Sequence, residues 1–279
     1  MNGEDPSGPH TPSFHPSKRL GQNFLVDKQV VERIVNALNP TAGETIIEIG
    51  PGKGALTERL IERSERLIAI EFDRTLGPAL AQRFIQQANF KLLQADALQS
   101  NFCEAIAPAK TARVVANLPY NISTAILQHL ITQRSCLSEM LLMLQKEVVE
   151  RITAAPGSTD RGYLTVLVEA FCRAEKLFDV PSQSFRPAPK VWSSVVQLKV
   201  TNEHSVKDED LFRQIVSAGF AQRRKTILNN LRNAPEPLQT RLKQHGGASI
   251  VLCVAEIELQ RRAETLTVPE WLQIANAMQ

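Results

Sequence analysis

The sequence is short of the features that mark secreted, metal-binding or membrane-spanning chains. Its 279 residues include only four cysteines, Cys103, Cys136, Cys172 and Cys253, scattered without metal-ligand spacing and each in or beside apolar sequence. That pattern predicts free, inert thiols, with no disulfide and no zinc site. No apolar run approaches the roughly 18 residues of a membrane span. The opening MNGEDPSGPHTPSFHPSKR is rich in Pro, Ser and Gly, carries acids near its start and lacks an apolar core of signal-peptide length. Residues 1–17 therefore read as a disordered tail, and the chain as soluble and cytoplasmic. A strong excess of one charge is missing too: 32 Lys and Arg stand against 29 Asp and Glu, a net charge of +3. This balance permits an acidic partner such as RNA without requiring one.

What is present is a regular alternation. Val30, Val31, Ile34, Val35 and Leu38 recur at helical spacing behind Asp27, a plausible N-cap. Strand-sized runs then alternate with amphipathic segments: TIIEIG, a helix from Ala55 to about Arg63, RLIAIEF, a helix from Arg74 to about Gln87, FKLLQAD and VVANL. A helix over Ser123 to Gln133, the strand MLLML, and helices over Lys146 to Thr153 and Tyr163 to Phe171 follow. AEKLFDVP and WSSVVQLKV read as an antiparallel pair closing the sheet. The fold class is α/β, a mostly parallel sheet with helices on both faces. Beyond about Thr201 the pattern turns helical, with segments over Asp208 to Phe220, Thr226 to Leu231, Pro237 to Gln244 and Pro269 to Ala277. The expected division is a catalytic domain over 18–202 and a smaller all-helical domain over 203–279.

TIIEIG runs straight into Gly50-Pro51-Gly52-Lys53-Gly54-Ala55, where glycines let the backbone turn tightly and approach a ligand. Glu71, at the end of the next strand, lies 21 positions after Gly50, which suits hydrogen bonds to ribose hydroxyls. Read as GxGxxA the loop could serve a dinucleotide; read as GxGxG it resembles motif I of the S-adenosylmethionine-dependent methyltransferases. Asp96 follows the third strand, placed to accept from a cofactor adenine amine. The fourth strand delivers Asn117-Leu118-Pro119-Tyr120 to the carboxyl edge, where ligands of open α/β sheets bind.

That tetrapeptide is a turn by composition, and it also offers what methylation of a base amine needs. An exocyclic amine is a poor nucleophile because its lone pair is delocalised into the ring. The Asn117 amide oxygen and a main-chain carbonyl can accept its two hydrogens and localise that pair, while Tyr120 stacks on the base. A dehydrogenase has no use for this motif, so the order of the four elements favours the methyltransferase.

From Lys18 to the C-terminus the chain resembles the bacterial small-subunit ribosomal RNA adenine dimethyltransferases, the kasugamycin-sensitivity family. The resemblance rests on five ordered boxes: KRLGQNFL from Lys18, GPGKGALT from Gly50, NLPYNIST from Asn117, FRPAPKVWS from Phe185 and FAQRRKT from Phe220. It departs at Trp192, where the family more often has Asp or Asn. The resemblance implies S-adenosyl-L-methionine as cofactor, held by Asn23, Leu25, Gly50, Glu71, Asp96 and Asn117, with Asn117, Leu118, Pro119 and Tyr120 as the catalytic set. It implies dimethylation of two adjacent adenosines in a hairpin loop near the 3′ end of 16S rRNA, within an assembling small subunit, and no metal. Lys18 and Arg19, and the cluster Arg223, Arg224 and Lys225, are candidate phosphate contacts. The loop from Pro156 to Gly162 could clamp substrate or be an ordinary loop.

Competing readings are an adenine methyltransferase acting on large-subunit rRNA or on DNA, and a binding-only assembly factor on the same fold. DNA amino-methyltransferases tend to have Pro at the position of Leu118, and a binding-only relative could lose its cofactor loop. No self-association signal is evident, which makes a monomer the expectation.

Overall fold

The structure is a computed structural model that describes residues 21–279. The predicted tail, Lys18 and Arg19 lie outside the described residues.

A short strand β1 (Phe24–Leu25) leads into α1 (Lys28–Leu38). Asp27 caps α1, its carboxylate accepting from the main-chain N–H groups of Gln29 and Val30, and all five apolar positions predicted for this helix are buried. The alternation then proceeds as β2 (Thr45–Ile49), α2 (Ala55–Ile61), β3 (Arg66–Glu71), α3 (Gly77–Arg83), β4 (Phe90–Gln94), α4 (Phe102–Ala105), β5 (Ala112–Asn117), α5 (Ser123–Thr132) and β6 (Leu137–Gln145). Helix α3 is shorter than its apolar pattern suggests, with a proline in its first turn. Helices α6 (Lys146–Ile152) and α7 (Tyr163–Phe171), and strands β7 (Cys172–Val180), β8 (Phe185–Arg186) and β9 (Ser193–Val200), complete the sheet region.

Seven strands form one sheet in the order β4-β3-β2-β5-β6-β9-β7. Strands β2 to β6 pair in parallel; β9 runs antiparallel to both neighbours, β6 and β7. Successive side chains of a strand face opposite ways, and both faces here are covered. Ile47, Ile68 and Val114 enter one apolar cluster, and their neighbours Ile46, Leu67 and Val115 enter the other. The near-continuous apolar strand sequences follow from that double burial.

After β9 the chain is helical: α8 (Glu209–Gly219), α9 (Ile227–Arg232), α10 (Leu238–Gln244), α11 (Ala248–Val254) and α12 (Val268–Asn276). The apolar cluster on one sheet face continues into these helices through Leu211, Ile227 and Trp271. The loop before α7 is tied to them as well. Gly157 N–H donates to Glu264 O at 2.8 Å, and the buried Arg161 guanidinium donates to Leu266 O at 3.2 Å.

The sequence expectation of no disulfide is corrected: Cys103 of α4 and Cys136, in a 3-10 turn before β6, form one, with Cα atoms 5.5 Å apart. Gln133 draws the two segments together. Its side-chain oxygen accepts from Phe102 N–H at 2.6 Å, and its side-chain nitrogen donates to Ser100 O at 2.8 Å. A separation of 33 residues gives no hint of this contact. Cys172 and Cys253 are free thiols, the first buried and the second exposed.

Candidate functional site

The carboxyl ends of β2, β3, β4 and β5 open onto a cleft of about 300 Å³. Gly50, Gly52 and Gly54, after β2, all have positive φ, between 58° and 82°, a region that L side chains adopt at a steric cost. At Gly52 the reason is double, because a Cβ there would also lie 3.0 Å from the Phe24 ring.

Glu71 closes the loop from the neighbouring strand. Its two carboxylate oxygens accept from Gly52 N–H at 3.1 Å and Asp73 N–H at 2.8 Å. Burial pushes the Glu71 pKa up. Each oxygen has a second lone pair, so the same carboxylate can brace the loop and accept from ligand hydroxyls. Asp96 sits after β4, with one carboxylate oxygen accepting from Leu98 N–H at 2.9 Å; among the described residues the other oxygen has no hydrogen bond.

The segment GQNFL is brought over the cleft by pairing of β1 with β8, with Phe24 opposite Arg186 and Leu25 opposite Phe185. Ser184 clamps that pairing, its hydroxyl donating to Asp27 at 2.9 Å and its main-chain oxygen accepting from Val26 N–H at 2.9 Å. The joining of these two distant boxes places Asn23 beside Asn117. The Asn117 side-chain nitrogen donates to Asn23 O at 3.1 Å, which leaves its amide oxygen uncommitted to that bond.

Leu118 is anchored by a hydrogen bond from its N–H to Met143 O on β6, at 3.2 Å, and its side chain is buried. Pro119 O accepts from Ile122 N–H at 3.2 Å, so the tetrapeptide is indeed a turn, one that leads into α5. The hydroxyls of Tyr120 and Ser193 share a hydrogen bond of 2.8 Å, with Ser193 buried at the start of β9. Burial raises the Tyr120 pKa, so the phenol is neutral at physiological pH.

The cleft thus gathers Asn23, Leu25, Gly50, Glu71, Asp96 and the whole of Asn117 to Tyr120. Arg223, Arg224 and Lys225 are not part of it. They lie exposed between α8 and α9, where Arg223 donates to Arg161 O at 3.2 Å. Sequence reading missed Glu48, a cleft residue inside β2 that sits between Ile47 and Ile49. Complete burial pushes its pKa up to about 8, against the opposing effect of a 2.7 Å hydrogen bond from the Thr57 hydroxyl. Phe72 was also missed; it lines the cleft while remaining exposed, an apolar surface suited to a flat ring.

Similarity to known proteins bears on the same residues. A family model described as Ribosomal RNA adenine dimethylase matches residues 14–274. The chain is 43% identical to Ribosomal RNA small subunit methyltransferase A of Chromohalobacter salexigens over 277 residues, covering 97% of this chain and 94% of that protein. Its counterpart from Legionella pneumophila (strain Lens) is 43% identical over 263 residues, covering 93% and 96%. In fold, a dimethyladenosine transferase from Plasmodium falciparum is similar with a TM-score of 0.77 at 24% identity, covering 90% of this chain and 95% of that one. The 23S rRNA methyltransferase ErmE is similar with a TM-score of 0.66 at 22% identity, covering 92% and 99%. By the extent of the family match and the identity to these full-length relatives, the chain belongs to the ribosomal RNA adenine dimethylase family.

Proposed function

We propose that the protein uses S-adenosyl-L-methionine to dimethylate the exocyclic amines of two adjacent adenosines in a hairpin loop near the 3′ end of 16S rRNA. It does so as a monomer, in the cytoplasm, on the assembling small subunit. The observation that carries this reading is the meeting of Gly50, Glu71 and Asp96 with Asn117 and Tyr120 in one cleft.

The cleft fits the cofactor. The glycine loop provides close backbone approach, Glu71 takes the ribose hydroxyls, the open oxygen of Asp96 takes the adenine amine, and Asn23, Leu25 and Asn117 bound the reacting end. When bound, S-adenosylmethionine supplies a methyl group on a positively charged sulfur, electrophilic without further activation. The work of the chain is therefore positioning and exclusion of water. The Asn117 amide oxygen and the Leu118 carbonyl accept the two amine hydrogens, and Tyr120 stacks on the adenine. Proton loss follows transfer, so the site needs no strong base, in keeping with a tetrapeptide that lacks carboxylate and imidazole.

Residues 18–202 form the catalytic unit in this reading, and the helices of 203–279 contact the ribosomal particle. Arg223, Arg224 and Lys225, with Lys18 and Arg19, neutralise phosphates. The 40–45% identity to small-subunit methyltransferases supports that target over large-subunit RNA.

The test is incubation with labelled cofactor and small subunits from a strain lacking the modification, followed by mapping of methylated adenosines. Dimethylation of two adjacent adenosines is expected. Label confined to large-subunit RNA or DNA would overturn the target, and no label anywhere would favour a binding-only role.

A further inference from the structure

Trp192 is 52% exposed, although burial of so large an apolar side chain is favourable. Its position ties it to the proposed reaction centre. Ser193, the next residue, is fully buried and bonds the Tyr120 hydroxyl at 2.8 Å. Ser193 also pairs with Gln145, the last residue of β6, so Trp192 stands at the same carboxyl edge as the cleft. The backbone there is fixed, since Trp192 O accepts the N–H of Lys146 at 2.9 Å.

The surroundings combine charged and apolar groups. The Lys146 ammonium lies 5.9 Å from the indole centroid and 3.0 Å from Asp179, which holds it beside the ring. Val191, also 40% exposed, adjoins Trp192. Lys190 and Arg186 are exposed, and neither forms an ion pair among the described residues. Pro187 and Pro189 limit the freedom of the connecting segment. An exposed aromatic two positions after the unpaired Lys190, and next in the chain to the serine that bonds Tyr120, has the chemistry of a single-stranded nucleic acid platform.

We infer that Trp192 stacks on the nucleotide next to the target adenosine, with Lys190 against the adjoining phosphate. The inference rests on the reading of Tyr120 as the target-base platform. Two aromatics then splay two consecutive nucleotides, one into the cleft and one onto its rim.

The two tryptophans make this directly measurable, because Trp271 is fully buried and only Trp192 is open to a ligand. With S-adenosylhomocysteine present, titration of the full chain with hexaadenylate should quench the exposed part of the emission saturably, and Trp192→Ala should abolish the change. With small subunits as substrate, Trp192→Ala should raise KM roughly tenfold and leave kcat and cofactor affinity unchanged, while Trp192→Phe stays near the parent. Absence of quenching, or an unchanged KM in Trp192→Ala, overturns the inference. So does a KM rise that Phe fails to rescue, which would point to a protein contact. Methylation of small subunits by the parent is scored separately, so loss of the stacking result with methylation intact sinks this inference alone.

Discussion

The side-chain nitrogen of Asn117 donates to the main-chain oxygen of Asn23, 94 positions away in sequence, at 3.1 Å. A carbonyl can only accept, so the bond decides which end of the amide faces it and which end is left for a substrate. Two segments that sequence reading could only list side by side, GQNFL and NLPY, are therefore parts of one device.

Glu71 accepts from two main-chain donors, Gly52 of the glycine loop and Asp73 just after its own strand. Glu71→Gln keeps the shape but turns an amide NH2 toward one of them. Losing a hydrogen bond to a charged group costs about 1.5–3 kcal/mol, so cofactor affinity should fall roughly ten- to hundredfold by calorimetry. An unchanged affinity would remove Glu71 from the cofactor site.

Glu48 links stability to pH. Its pKa is raised from 4.5 to about 8, so across that window the folded chain keeps a proton that the unfolded chain has released. Stability from this group is fully present below the unfolded pKa and is lost as pH climbs through the folded one. Glu48→Gln should flatten that decline, with the largest rise in Tm over the parent at the alkaline end. Parallel plots of Tm against pH for parent and variant, from about pH 5 to about pH 8, would contradict the assignment.

Arg161 is fully buried, yet its partner Glu169 at 2.6 Å is 40% exposed. When Arg161 is replaced by Met, water can therefore solvate the orphaned carboxylate, unlike a fully buried partner. The cost then comes mainly from the Ala154 and Leu266 carbonyls that lose their donor. Urea denaturation should show a loss of about 2–3 kcal/mol, below the ~3–5 kcal/mol of breaking a fully buried pair.

The cysteines give a chemical count. In denaturant without reductant two thiols should react, from Cys172 and Cys253, and four after reduction. In the native protein only Cys253 should label quickly, because burial pushes the Cys172 thiol up to about 12. Four reactive thiols before reduction would contradict the Cys103–Cys136 pairing.

Much of the site was legible because its groups sit at strand ends. Gly50, Glu71, Asp96 and Asn117 each follow or close an apolar run, and a parallel sheet brings such ends to one edge. What escaped notice has no local signal. Strands β1 and β8 are two residues each, too short for any alternation to register. Helix α11, ASIVLCV, is a short apolar run whose period is indistinct. Glu48 is hidden inside a strand, and Cys103 meets Cys136 only through packing around Gln133.

The most direct measurement is methyl transfer by Asn117→Ala to small subunits lacking the modification, with cofactor and RNA saturating. If the Asn117 amide oxygen positions the amine, turnover should fall by at least ~100-fold while the fold, followed by thermal melting, is retained. Near-normal methyl incorporation by this variant would contradict the assignment of Asn117-Leu118-Pro119-Tyr120 as the reaction centre.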